Sequence, residues 1–278
     1  HATYSVKLEG KSDNDLELKT ALRKAITQGE LVLYYQPKID FSSRSVSGVE
    51  ALVRWNHPVL GMLPPDRFIP LAEASDLMRP LAECVLRMAV KQAAAWLNTG
   101  LRFSISVNVS SFNVQDAQFA ALVKQVLEES GLPAELLEIE MTEAAVLADP
   151  KLATQCIRGL HEIGVLVSID DFGTGYTLMS QLKELLVSKI SIDRSFIKNM
   201  ANNHSDAVIV RSTVDLSHSL GFKVVAEGVE NQDTWDQLEK LGCDSAQGFH
   251  MGIPLAPEEF EEWLISSPWG SVSNSGDT

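Results

Sequence analysis

Eight short runs rich in β-branched and aromatic residues punctuate the chain, and only four residues, Phe41 to Arg44, separate the first run from the second. A parallel crossover needs about a dozen residues or more, so these two runs must form an antiparallel hairpin. The runs are Leu31 to Asp40, Ser45 to Trp55, Arg102 to Val109, Leu136 to Thr142, Val165 to Asp171, Val187 to Asp193, Lys223 to Glu227 and Ser245 to Met251. From the third onward, most neighbours are parted by a helix-length stretch with its own stop signal, such as Val114 to Ser130 before Gly131, or His204 to Leu220 before Gly221. Units of this kind connect through right-handed crossovers. Eight strands with the first reversed predict an α/β fold, a modified (β/α)8 TIM-like barrel with an antiparallel first strand. The length of 278 residues does not choose by itself between one such barrel and two ordinary domains.

Between the second and third runs, Pro65 to Asn98 has room for two helices, with Leu81, Val85, Met88, Ala89 and Ala95 or Trp96 as an apolar stripe. That stripe reads as core. Residues 1–15 are polar and lack periodicity, and residues 267–278 are rich in Ser, Gly and Asn. Both ends are expected to be loose, leaving 16–266 as the barrel domain.

Acidic and amide residues fall at the carboxyl ends of successive runs: Glu50, Asn108, Glu140, Asp170 with Asp171, Asp193, Glu227 and Gln247. A lone strand-end carboxylate usually caps the next helix, and that is the ordinary reading for Asp193 or Glu143 taken singly. Repetition around one barrel mouth is different, because like charges raise one another's pKa unless cations sit between them. Hard oxygen donors favour magnesium, manganese or calcium over zinc. The adjacent pair Asp170 and Asp171 is suited to bridging two ions ~3.5 to 4 Å apart, the spacing used for in-line phosphoryl displacement. The glycine-containing turn Phe172 to Tyr176 after it reads equally as a lid or as a plain loop entering a helix.

Composition narrows the partners. Lys plus Arg number 23 against 37 Asp plus Glu, a net charge of −14, which argues against non-specific DNA or anionic-membrane binding. The three cysteines, Cys84, Cys156 and Cys243, are odd in number and widely spaced, as expected of buried thiols in a reducing, cytoplasmic setting. Six scattered histidines form no zinc motif. No apolar run approaches the ~20 residues of a membrane span.

The stretch Glu50-Ala51-Leu52-Val53-Arg54-Trp55 resembles the signature of EAL-domain cyclic di-GMP phosphodiesterases, and further motifs follow in that family's order. They are Tyr35-Gln36-Pro37, Phe68 to Glu73, Val107 to Ser110, Glu140 to Glu143, Ile169 to Gly173, Ile192 to Phe196, Glu227 to Glu230 and Gln247-Gly248-Phe249. The resemblance implies a metal-dependent hydrolase that opens cyclic di-GMP to linear pGpG in bacterial second-messenger signalling. It implies that Glu50, Asn108, Glu140 and Asp170 hold one Mg2+ or Mn2+ ion and Asp170 with Asp171 a second, with Ca2+ inhibitory. Glu227, Asp193 and residue 191 take catalytic positions; Gln36, Leu52 and Arg54 contact the dinucleotide; Glu143 braces the loop after Asp171; and Gln247 joins the metal and water shell.

The same resemblance implies a homodimer contact through the loop after Asp171 and the neighbouring helix, where Met179 and Leu182 read equally as exposed or as helix core. His1 to Val6 is similar to the closing strand of diguanylate-cyclase domains, so the first 15 residues are expected to be the remnant of such a domain. The full protein would then carry cyclase-like or sensory domains, with membrane attachment through segments outside this chain.

One position departs from the pattern. Ser191 stands where the family usually has an active-site lysine, and a serine has neither charge nor acid–base capacity near neutral pH. Lys189 shares its side of the strand but lies ~6.6 Å nearer the barrel bottom, which reads as structural. Slowed hydrolysis is therefore the leading expectation, and a non-cleaving cyclic di-GMP receptor module is the alternative.

Overall fold

A computed structural model describes residues 2–173, 185–201 and 203–270, with side chains from residue 15 onward. Strand β1 (Leu31–Asp40) pairs antiparallel with β2 (Val46–His57), setting Gln36 opposite Glu50 and Tyr34 opposite Leu52. A three-residue strand absent from the sequence reading, β3 (Gly61–Leu63), folds back on Trp55 to His57 outside the barrel. Parallel strands β4 (Ser104–Val109), β5 (Leu137–Thr142), β6 (Leu166–Phe172), β7 (Lys189–Ile192), β8 (Lys223–Glu227) and β9 (Ser245–Gln247) follow in order round the sheet. Antiparallel pairing of Lys38 with Gln247 closes the ring back onto β1. Eight strands thus form a closed α/β barrel with its first strand reversed, as the short first connection requires.

The helices are α1 (Ala2–Gln28), α2 (Ile69–Glu73), α3 (Met78–Asn98), α4 (Ser111–Val114), α5 (Phe119–Ser130), α6 (Glu143–Ala148), α7 (Pro150–Glu162), α8 (Arg194–Asn199), α9 (His204–Ser219), α10 (Gln232–Leu241) and α11 (Pro257–Ser266). In α3 the stripe resolves in favour of Trp96, which is buried while Ala95 is exposed. Gly131 and Gly242 end α5 and α10 with positive φ, relieving the helix ends in a conformation that costs glycine little.

Two terminal expectations change. The opening residues belong to α1 rather than to a loose segment or a strand; Leu18, Leu22 and Ala25 anchor the described part of that helix in the core. Once a helix is nucleated, Lys, Leu and Glu extend it at little cost, so polar residues without periodicity can still be helical. Residues 267–270 are docked: Val46 N donates to Trp269 O at 3.3 Å, and the Trp269 ring lies 4.8 Å from that of Trp235. An aromatic anchor outweighs the flexible composition around it.

Strand alternation sorts the barrel into an apolar outside and a polar inside. Ile105, Ile139, Val167, Ile169, Ile190, Val224 and Ala226 are buried under the helices. Their alternating neighbours Ser104, Ser106, Glu138, Glu140, Ser168 and Ser191 are also buried. Lys38 on β1 donates to Ser106 on β4 at 2.9 Å and to Glu140 on β5, contacts that skip intervening strands and so cross the barrel interior.

Candidate functional site

The carboxyl ends of the parallel strands share one face, and the reversed β1 adds Gln36 to the same level through its pairing with Glu50. Each oxygen of Glu50 accepts an amide: Asn108 Nδ2 at 2.6 Å on one side, Gln247 Nε2 on the other. Gln247 Nε2 also donates to Gln36 Oε1 at 3.0 Å, and Gln36 Nε2 donates to Gly252 O at 3.0 Å. Gln36, Glu50, Asn108 and Gln247 therefore form one connected rim segment, while Glu140 is held separately, from below, by Lys38.

A regular strand sends consecutive side chains to opposite faces. At the end of β6 the register against β7 breaks between Ile169 and Phe172, and Asp171 adopts φ 54°, in the left-handed region. This turn keeps both carboxylates at the mouth. The Asp170 charge acts on Glu227 and Glu140, and the Asp171 carboxyl meets that of Asp193. Glu143 Oε2 accepts from Gly173 N at 3.2 Å, tying α6 to the chain just past Asp171. Residues Thr174 to Tyr176, Met179 and Leu182 lie outside the described residues.

Asp193 caps α8, accepting from Ser195 N at 3.0 Å and from Ser195 Oγ. Partial burial works to raise its pKa, but these bonds hold it below the ordinary carboxylate value. Asp171 is pushed up to about 6, first by partial burial and then by the charge of Asp170. Glu227 is raised well above the usual range by burial and by Asp170, Glu50 and Glu140. For Asp171 and Glu227 burial is the larger cause, and repulsion from the neighbouring carboxylates adds to it.

Gln36, Glu50, Leu52, Glu227, Gln247 and Phe249 line a cavity of about 210 Å3, together with Arg194, Gly228 and Glu230. Gly228 has φ 72°, and a Cβ there would stand 2.5 Å from Arg194 Cβ, so glycine lets Arg194 close over the site. Arg54 is not among the lining residues; its guanidinium donates to Val53 O at 2.9 Å and lies 5.9 Å over the Tyr34 ring. Ser191 is fully buried, and its Oγ has no hydrogen-bond partner among the described residues. Lys189 pairs with the buried Glu138 at 2.5 Å, below the mouth.

Among the described residues, no three His, Cys, Asp or Glu side chains stand close enough as placed to cage an ion. The donor chemistry nevertheless fits a hard divalent cation. The donors are oxygens, their charges repel, and Gln247 Oε1 is buried without a partner among the described residues. Side chains now tied to amides or to Lys38 would have to turn toward the ion.

Sequence reasoning missed Lys38, Glu138, Arg194 and Phe249. For the first two the signal was present as period-two polarity: Gln36 and Lys38 alternate within an otherwise apolar run, as do Glu138 and Glu140.

A closed α/β barrel with one reversed strand, whose acid-lined mouth lies at the strand ends beside a guanidinium, belongs to the TIM-like barrel class, in which active sites lie on that face. The chain belongs to the EAL-domain family, whose model matches residues 19–254. It is 38% identical over 257 residues to the bifunctional diguanylate cyclase/cyclic di-GMP phosphodiesterase MucR of Pseudomonas aeruginosa, covering 92% of this chain and 38% of MucR. It is 36% identical over 248 residues to the cyclic di-GMP phosphodiesterase PdeR of Escherichia coli, covering 89% and 37%. The chain thus spans less than half the length of these relatives. The solved structure of the MucR phosphodiesterase in complex with cyclic di-GMP superposes with a TM-score of 0.84 at 39% identity, covering 88% of this chain and 99% of that one.

Proposed function

We propose that this chain is a metal-dependent phosphodiesterase that hydrolyses cyclic di-GMP to linear pGpG, at a rate limited by Ser191. The observation that carries this reading is a mouth of mutually repelling oxygen donors beside a cavity that presents a guanidinium and an exposed aromatic ring, Arg194 and Phe249. Those are the groups a cyclic dinucleotide needs: cations for its phosphates, oxygen-bound metal at the scissile bond, and a ring face for a base.

Glu50, Asn108, Glu140 and Asp170 would hold one ion and Asp170 with Asp171 the other. Two bound Mg2+ or Mn2+ ions supply a water of lowered pKa and charge neutralisation on the phosphate. Glu227, on the cavity wall, would orient or deprotonate such a water. Gln36 and Leu52 shape the floor beneath the dinucleotide, and Arg54 at the outer end of β2 reaches a phosphate by swinging off Val53 O. Asp193 fixes the entry to α8 and, through Asp171, the position of the bridging pair. Glu143 holds the backbone at Gly173 and so the turn that presents both aspartates. Ser191 offers a hydroxyl where positioning of the water gains from a charged group, so turnover is slow.

The Ser191 hydroxyl, without a hydrogen-bond partner among the described residues, favours a second reading, a receptor that binds cyclic di-GMP and passes the signal on without cleaving it. Fusion to diguanylate-cyclase-like or sensory domains, and assembly as a homodimer, are compatible with either. Chromatography of cyclic di-GMP incubated with the protein and Mg2+ or Mn2+ separates the readings. Appearance of pGpG, suppressed by Ca2+, supports the hydrolase. Saturable binding without product supports the receptor, and no binding with either metal overturns both.

A further inference from the structure

Lys38 is the one cation the described residues place inside the upper barrel, beneath the mouth carboxylates. It is buried on β1, donates to Ser106 Oγ at 2.9 Å and forms an ion pair with Glu140. Glu138 and Glu50 also lie within electrostatic reach of its ammonium. Below it, Lys189 pairs with Glu138, so charges alternate along the barrel axis as Lys189, Glu138, Lys38, Glu140. β5 supplies both glutamates from positions two apart on one face, a spacing that would be repulsive without the intervening lysine.

We propose that Lys38 is a resident counter-ion of the barrel mouth, holding Glu140 in the metal-free protein and limiting how tightly divalent cations bind there. The inference rests on the metal-site reading above. Its physical basis is that Lys38 cannot leave. The ammonium is enclosed by β1, β4 and β5, so an ion captured by Glu140 has a fixed positive charge within reach of the same carboxylate. Like charges at such range in a buried setting repel with little screening. In the metal-free protein the same charge offsets the repulsion among Glu50, Glu138 and Glu140. Lys38 is thus a positioning residue that trades metal affinity for stability of the empty site.

The test is Mn2+ titration followed by the electron paramagnetic resonance signal of free Mn2+, at pH 8, on the wild type, Lys38→Met and Lys38→Gln. The Gln variant keeps a donor for Ser106 and serves where the Met variant does not fold. Expected are at least tenfold tighter Mn2+ binding in the folded variant, a lower Tm without metal, and a larger rise in Tm on Mn2+ addition than the wild type shows. A lysine with a merely structural role would lower Tm and leave Mn2+ affinity of the folded protein where it was. Unchanged or weaker Mn2+ binding in a folded variant overturns the counter-ion role alone. A wild type that takes up no Mn2+ overturns the metal-site reading, and this inference with it.

Discussion

Gly248 lies directly against the backbone of Val229: a Cβ on Gly248 would stand 2.1 Å from the Val229 carbonyl oxygen and 2.3 Å from its nitrogen. The two segments are clasped there, with Val229 N donating to Gln247 O at 3.1 Å and His250 N to Val229 O at 3.0 Å. That clasp sets Gln247 beside Glu227, with which it is paired across β8 and β9. Because the obstruction is main chain, no side-chain rotation relieves it. Gly248→Ala is expected to cost about 2–4 kcal/mol in urea unfolding, and to reduce cyclic di-GMP binding by displacing Gln247. A variant as stable as the parent would show that the clasp yields.

Lys189 and Glu138 carry a second expectation, about the barrel bottom. Glu138 is fully buried, so Lys189→Met leaves it without its closest cation, although Lys38 remains within electrostatic reach. Breaking one side of a buried pair costs about 3–5 kcal/mol, whereas replacing both sides with apolar groups is often neutral. Chemical denaturation should therefore find Lys189→Met strongly destabilised and Lys189→Met/Glu138→Leu substantially recovered. Equal loss in both would mean that the pair is not the source of the effect.

The buried thiols define the alkaline limb of stability. Burial pushes Cys243 up to about 12 and Cys156 up to about 11, from an ordinary thiol value of 9.0. A folded-state pKa raised above the unfolded value contributes stability that is complete below the unfolded value and is lost as pH climbs toward the folded one. Stability should thus fall between pH 9 and about 12, and Cys243→Ala with Cys156→Ala should flatten that fall. Iodoacetamide at pH 8 should label these two cysteines far more slowly in native than in urea-unfolded protein, as mass spectrometry of the peptides would report.

Asp171 combines a functional carboxylate with a strained backbone, and the two are separable. At φ 54° a β-branched residue costs about 1–2 kcal/mol, while glycine costs nothing and asparagine little. Asp171→Val should be less stable than Asp171→Gly by about that margin, while both lose Mn2+ affinity alike. If the two variants unfold together, the turn tolerates any residue and the left-handed conformation carries no strain.

What could be read from the sequence, and what could not, follows from how local the cause is. The reversed first strand was legible because four residues between Phe41 and Arg44 leave no other connection. Most mouth residues were legible because they fall at or near the ends of the parallel strands, although Glu50 lies mid-strand in the long β2. The Lys38 and Glu140 pair was not, since it joins strands remote in sequence and a charged residue inside a strand gives no sign of its partner. Trp269 was hidden by the polar residues around it, and the first half of α1 by its lack of an apolar period, which begins only at Leu18, Leu22 and Ala25. The left-handed turn at Asp171 had no marker of the usual kind, because the glycine, Gly173, stands two positions after the residue that bends, with Phe172 between.

Ser191 gives the sharpest test of how this mouth works. Its side chain is fully buried, occupies the level of Val225 on the neighbouring strand, and leaves its oxygen without a partner among the described residues. An orphaned buried hydroxyl is a cost to the fold, of about 1–3 kcal/mol by the usual measure, unless a water fills the space. A lysine at this position would extend from β7 toward the carboxylates of the mouth and place an ammonium where none of the described side chains now supplies one from that side. General acid–base or positioning groups typically contribute 10²- to 10⁴-fold. Ser191→Lys should therefore raise pGpG formation by about 10²-fold while leaving the Kd for cyclic di-GMP in Ca2+ within about threefold, since Gln36, Leu52 and Arg194 are untouched. Ser191→Ala, which removes only the orphaned oxygen, should match or exceed the parent in stability and stay equally slow. A lysine variant no faster than the parent would show that the rate is set elsewhere in the site, and would shift the balance toward the receptor.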